Sequence, residues 1–239
     1  MTQGLRRIGV LGGMGPEATI YFMQRIVAAV SARDDADHIP LLVDNNTQVP
    51  SRIAAILEGS GADPGPVLVS MAQHLQQAGA EALVMPCNTA HHFARQVADA
   101  SDVPFLNMVD LASAHAASLV PEGGRIGLLG SPALAQVGVF EPALGAQGLS
   151  ALYARDPAHV LDTIRSIKAH GPSEQAADVL NAVARQMAED GAGAICICCT
   201  EFSLLFDRIT ASVPVFDSLE LLVDATVQFS RLGTVQTQR

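Results

Sequence analysis

The stretch RIGVLGG at Arg7 returns as RIGLLGS at Arg125. In the same order, GAEALVMPCNT at Gly79 returns as GAGAICICCTE at Gly191, and VPFLNM at Val103 returns as VPVFDS at Val213. Gly, Pro and Cys match along with the apolar letters, which is more than the likeness of any two buried strands. A chain built this way folds as two related halves. Within each half, short apolar or β-branched runs alternate with longer helical patterns. RIGVLG, PLLVDN, EALVMP, RIGLLG and GAICICC read as buried strands. Residues 18–32, 66–79 and 174–191 read as helices, the last two closed by Gly79 and Gly191. Such alternation predicts an α/β fold of parallel sheets covered by helices. The expected architecture is two similar parallel-sheet lobes related by duplication, with an active site in the cleft between them. The first lobe takes residues 1–113 plus 217–239, the second 114–216.

The 239 residues leave room for a core in each lobe. A formal charge of −10 repels nucleic acid and anionic membrane. The absence of Trp leaves few platforms for stacking bases. The opening MTQGLRRIGV lacks the apolar region of a signal peptide, and no apolar run approaches a membrane span. The expectation is a cytoplasmic protein with a small-molecule partner, and neither nucleic acid nor membrane. Four cysteines stand at 87, 196, 198 and 199. Three crowd one stretch, so they are thiols for structure, catalysis or metal rather than a disulfide framework.

Two of these thiols hold equivalent places. Cys87 and Cys199 each follow a strand and precede a polar pair, Asn88-Thr89 or Thr200-Glu201. Ligands of open α/β sheets sit at the carboxyl ends of strands. Both positions also read as helix starts, where a thiol pKa falls below its usual value of about 8.5. Two facing lobes would bring one activatable thiol each to a shared cleft. That arrangement suits moving a proton between the two faces of a carbon. With each sulfur about 3–3.5 Å from that carbon, the sulfurs stand roughly 6–7 Å apart. Other readings remain open here. Cys196 and Cys198 alternate along one strand, on the face opposite Cys199, and read as small buried hydrophobes. A metal site could draw on these cysteines with Cys87, His91 and His92, although C-x-C-C is not the C-x-x-C of structural zinc sites. A Cys87 nucleophile with His91 as base would suit acyl transfer, but leaves the second cysteine without a task.

GVLGGMGPEAT, from Gly9 to Thr19, contains the dinucleotide fingerprint G-x-G-x-x-A. A dinucleotide unit wants an acidic residue about 20 residues on, at the tip of the second strand. Asp44 ends that strand well past this spacing, and Asp34, Asp35 and Asp37 precede it. The stretch reads better as a tight turn with Pro16 in the first helical turn. Its glycines serve close packing, or the amides of Gly13 and Met14 face the cleft and hold a carboxylate.

The chain resembles the cofactor-independent aspartate/glutamate racemase family, and within it the aspartate racemase branch. The resemblance lies in IGVLGGMGPEAT, HIPLLVDNNTQVPSR, MPCNTAHHF, RIGLLG, SIKAHG and GAICICCTE, with PCNTAH and CTE the most specific. It implies two α/β lobes, a site between them, and no pyridoxal phosphate, metal or nucleotide. It further implies a homodimer, Cys87 and Cys199 as the catalytic pair, Arg52 on the substrate carboxylate, and Lys168 on the substrate side. Thr89 and Thr200 match neighbours that hold substrate or tune the thiols. Asn88, Glu201, Gly13, Met14 and Ser131 complete the expected substrate site. In a protein this acidic, Arg52, Lys168 and helix N-termini must supply the local positive field for the carbanion.

Three departures bear on the substrate side chain rather than the chemistry. Ser51 replaces an acidic residue, Ile164 a tyrosine, and Ser131-Pro132-Ala133-Leu134 a hydroxyl-rich turn. With fewer donors in that turn, weaker discrimination for aspartate is expected. The resulting expectation is a PLP-independent racemase of a small acidic amino acid, most directly aspartate. The alternatives are a broad-specificity racemase or cysteine-dependent isomerase of this fold, an NAD-dependent oxidoreductase, and a non-catalytic dicarboxylate-binding protein.

Overall fold

The computed structural model describes residues 4–234. These form two compact units, residues 4–108 with 219–234, and residues 109–218. In the first unit the order is β1 (Ile8–Gly12), α1 (Pro16–Ala28), β2 (Leu41–Asn45), α2 (Gly65–Gln77), β3 (Ala82–Val84), α3 (Ala94–Asp99) and β4 (Phe105–Leu106). Helix α4 (Met108–Leu119) carries the chain into the second unit. There follow β5 (Arg125–Gly130), α5 (Pro132–Val137), α6 (Glu141–Ala146), β6 (Ser150–Leu152), α7 (Pro157–His170), α8 (Glu174–Glu189), β7 (Ala194–Cys198), α9 (Thr200–Ser203) and β8 (Val215–Asp217). Helix α10 (Ser218–Leu232) returns the chain to the first unit.

Each unit holds a four-stranded sheet, in the order β2-β1-β3-β4 or β6-β5-β7-β8, with every pairing parallel. The repeated letters therefore occupy equivalent strands. A Cβ on Gly9 would lie 2.8 Å from the Leu83 side chain, and one on Gly127 would lie 3.1 Å from Met187 Sδ. Glycine at both places lets neighbouring groups close on the sheet. The arginine that opens each motif repeats a function as well. Arg7 Nη1 donates to Ala78 O at 3.3 Å, and Arg125 Nη2 donates to Asp190 O at 2.5 Å. Each guanidinium thus caps the carboxyl end of the helix before the third strand, where the dipole favours a cation.

The cores follow the apolar periodicity. In the first unit Leu11, Leu83 and Met85 pack with Leu68, Met71 and Leu75 of α2. In the second, Leu129, Ile195 and Ile197 pack with Val160, Ile164 and Ile167 of α7 and Leu180, Ala184 and Met187 of α8. Ile164 is therefore a core residue. Strands β4, β6 and β8, of two or three residues each, are additional to the five read from sequence. Helix α7 is additional too, although Asp156 caps it by accepting from His159 N at 3.0 Å and Pro157 begins it. Among the described residues no helix is long and apolar enough to cross a membrane.

Candidate active site

A parallel sheet gathers the carboxyl ends of its strands along one edge. In the first unit that edge bears Gly13 and Met14 after β1, and Cys87, Asn88 and Thr89 after β3; the segment leading to Arg52 follows β2. In the second it bears Ser131 after β5, and Cys199, Thr200 and Glu201 after β7. Lys168 comes instead from the last turn of α7.

Glu201 joins Cys199 to Lys168. The Cys199 thiol donates to Glu201 Oε2 at 3.1 Å, while Lys168 Nζ pairs with Glu201 Oε1 at 2.6 Å. One carboxylate thus faces a thiol with one oxygen and an ammonium with the other. Burial pushes the Cys199 thiol well above its ordinary range, and the Glu201 charge pushes the same way; Lys168 opposes them. The helix start expected to lower this thiol is only the four-residue α9, and burial outweighs it. Cys199 packs with Ile195 and Ile197, the alternate residues of its strand. Cys196 and Cys198 are both buried, and burial together with the Cys196 thiol raises Cys198 as well.

Cys87 is buried and fixed through its own backbone. Its N–H donates to Met85 O at 2.8 Å, and its carbonyl lies 2.9 Å from His91 Nδ1. The other ring nitrogen, His91 Nε2, accepts from Met108 N–H at 3.1 Å. Both ring nitrogens thus face backbone groups, so the Cys87–His91 nucleophile–base pair is not formed. Burial lowers the His91 pKa to about 4, and the imidazole is neutral at physiological pH. The helix start after Cys87 is a 3₁₀ turn, Thr89–Phe93, and the Asn88 side chain does not cap it.

Several expected substrate ligands have other tasks. Gly13 N–H donates to Thr19 Oγ1 at 2.9 Å, and Thr19 Oγ1 donates to Gly15 O at 3.1 Å. Gly13 has φ +88°, and a Cβ there would meet the Asn46 backbone at 2.3 Å. Its glycine therefore serves close packing and a left-handed turn, and its amide is engaged within the fold. Met14 is a core side chain. Thr19, which closes this turn, was not singled out from sequence; its only signal is a hydroxyl in the first turn of α1.

Ser131 Oγ accepts from Ala133 N–H at 3.3 Å as the N-cap of α5. Ala133 and Leu134 are fully buried. The 131–134 turn thus begins a helix, with the side chains at 133 and 134 packed in the interior. Ala133→Thr is therefore expected to bury a hydroxyl and cost about 1–3 kcal/mol in urea unfolding, with the order of substrate preference unchanged. A shift of preference toward aspartate would return the turn to the site.

Arg52 Nη1 donates to Pro50 O at 2.8 Å and Val49 O at 3.2 Å, which braces the guanidinium on its own loop. Among the described residues no carboxylate pairs with it, and Nε and Nη2 form the edge that a bidentate carboxylate needs. Also among the described residues, no group of three or more His, Cys, Asp or Glu side chains is arranged to hold a metal ion.

Comparison with known proteins places these residues in a family. Residues 11–226 match the family described as Asp/Glu/Hydantoin racemase. The chain is 22% identical over 226 residues to the broad specificity amino-acid racemase RacX of Bacillus subtilis (strain 168), covering 92% of this chain and 96% of that one. The structure is similar to that of Picrophilus torridus aspartate racemase, with a TM-score of 0.80, 25% identity and 94% of each chain covered. Its fold is also that of the glutamate racemase isoform RacE1 from Bacillus anthracis, with a TM-score of 0.67, 16% identity, and 98% of this chain and 85% of that one covered. With two four-stranded parallel sheets of one strand order and a family match spanning nearly all of its length, the chain belongs to the Asp/Glu/Hydantoin racemase family.

Proposed function

We propose that the chain is a cofactor-independent racemase of acidic amino acids, aspartate first, in which Cys87 and Cys199 work on opposite faces of the α-carbon. The observation that carries this reading is the equivalence of the two thiols. Each follows the third strand in sequence of its own sheet, at the carboxyl edge, within a racemase chain. The Cys199 thiol, held by Glu201, starts as the acid, and Cys87 starts as the base. The Cys87 thiolate takes the α-proton and becomes a thiol; Cys199 delivers its proton to the opposite face and becomes a thiolate. Lys168 then offsets the added charge beside Glu201. Arg52 holds the α-carboxylate through Nε and Nη2, which stabilises the carbanion that develops next to it.

The likeness to the aspartate racemase of Picrophilus torridus supports the reading of aspartate as substrate. RacX of Bacillus subtilis favours a second reading, a racemase of broad specificity. Incubating a panel of L- and D-amino acids in D₂O, with NMR and chiral chromatography, tests both. Loss of the α-proton signal with inversion for aspartate and glutamate alone supports the first reading, and inversion across neutral side chains supports the second. Binding without exchange would overturn both. Arg52→Ala is expected to lower kcat/KM about tenfold to a hundredfold, since a charge-assisted hydrogen bond is worth about 1.5–3 kcal/mol. Unchanged kinetics would place Arg52 outside the site.

A further inference from the structure

We propose that His91 is the positioning residue for Cys87, fixing the cysteine's carbonyl against the start of α4; this rests on the reading of Cys87 as an acid/base group. The hydrogen-bond directions leave the ring one state. Met108 N–H can only donate, so Nε2 must present its lone pair. The ring proton then sits on Nδ1, which donates to Cys87 O. The Phe105 ring lies against the imidazole at 5.5 Å between centroids.

Both ends of this link matter. Met108 is the first residue of α4, and an N–H in the first turn of a helix has no partner within that helix. His91, 17 residues earlier, supplies the missing acceptor. At the other end, Cys87 N–H is already held by Met85 O. With His91 on the carbonyl, both backbone polar groups of the cysteine are fixed, and so is the direction in which Cβ leaves the chain. A thiol that must meet an α-proton in line is sensitive to this direction, since a displacement of about 1 Å can cost about a hundredfold in rate. His91 touches the peptide of Cys87 rather than the substrate, so its effect falls on kcat.

Two substitutions separate the ends of the link. His91→Asn places an amide nitrogen near the Nδ1 position, keeping the bond to Cys87 O while losing the acceptor for Met108. His91→Gln places an amide oxygen near the Nε2 position, keeping the bond to Met108 N–H while losing the one to Cys87. Both remove one buried bond and are expected to lose similar stability in urea unfolding. The Gln variant is expected to lose about a hundredfold in kcat with KM unchanged, and the Asn variant to stay within about threefold of wild type. Peptide-mapped iodoacetamide labelling is expected to show an altered rate at Cys87 in the Gln variant alone, and no change at Cys199 in either. Losses of kcat that follow stability equally in both variants, or a Gln variant as active as the Asn variant, would overturn the proposal. In the wild type, ¹⁵N NMR is expected to show the Nδ1–H tautomer of His91; an Nε2–H tautomer would overturn it even if neither variant folds. A wild type that exchanges the α-proton of no amino acid would defeat the racemase reading, and the labelling rates would still judge the role of His91.

Discussion

Cys87→Ala and Cys199→Ala are each expected to lose racemisation by about 10²–10⁴-fold, the usual worth of a positioned proton donor or acceptor. Enantiomers are equally stable, so kcat/KM must fall by the same factor in both directions. Proton exchange without inversion separates the two variants. Cys199→Ala keeps a base on one face and is expected to wash deuterium into one enantiomer of the substrate; Cys87→Ala is expected to wash it into the other. The nearby thiols are the controls. Cys196 and Cys198 are buried within β7. Cys196→Ala is expected to keep activity at a cost of about 0.5–1.5 kcal/mol in stability, as for other small losses of buried volume. Chiral analysis of aspartate after incubation in D₂O reads all of this at once. Full racemisation in either Cys87→Ala or Cys199→Ala would defeat the two-thiol scheme.

The paired thiols were legible because physical constraints repeat the letters around them. Gly9 and Gly127 both lie where a side chain would crowd its neighbours, and Arg7 and Arg125 both cap a helix end. A duplicated fold keeps such letters, so the echo could be read without coordinates. The short strands β4, β6 and β8 were not legible as strands, because two or three residues carry no period; β3 is as short, but it is wholly apolar and buried and lies between Gly79 and Pro86. The partners of named residues were equally hidden. Nothing in the sequence joins Lys168 to Glu201 or His91 to Met108, since both links depend on how separate elements pack. The burial of the 131–134 turn was hidden for a related reason. Serine before proline signals a helix start, but not that Ala133 and Leu134 turn into the interior. Gly13 shows the converse, where a fingerprint that suggests a ligand reflects the approach of the Asn46 backbone.

Glu201→Gln and Lys168→Met are expected to move the Cys199 thiol in opposite directions. In the structure, Glu201 presents a carboxylate oxygen to the thiol at 3.1 Å, and Lys168 balances the other oxygen at 2.6 Å. A thiolate at Cys199 would face that carboxylate, so the proton stays on sulfur to a higher pH. Removing the carboxylate charge while keeping an acceptor leaves Lys168 as the dominant neighbour, and the inflection for Cys199 labelling shifts to lower pH. Removing the ammonium leaves Glu201 unopposed, and the inflection shifts to higher pH. A single charge at about 4–6 Å changes proton affinity by roughly tenfold to a thousandfold. Below the inflection, the labelling rate follows the thiolate fraction. At neutral pH, Glu201→Gln is therefore expected to speed iodoacetamide labelling of Cys199 by at least about tenfold, and Lys168→Met to slow it by a similar factor. Cys87 is the internal standard, with a peptide-mapped rate expected to stay constant. Both variants are expected to lower kcat, the first because Cys199 releases its proton too early to serve as the acid, the second because it cannot accept one when the reaction runs in reverse. Shifts of the same sign in the two variants would show that Glu201 and Lys168 act on Cys199 through packing rather than charge.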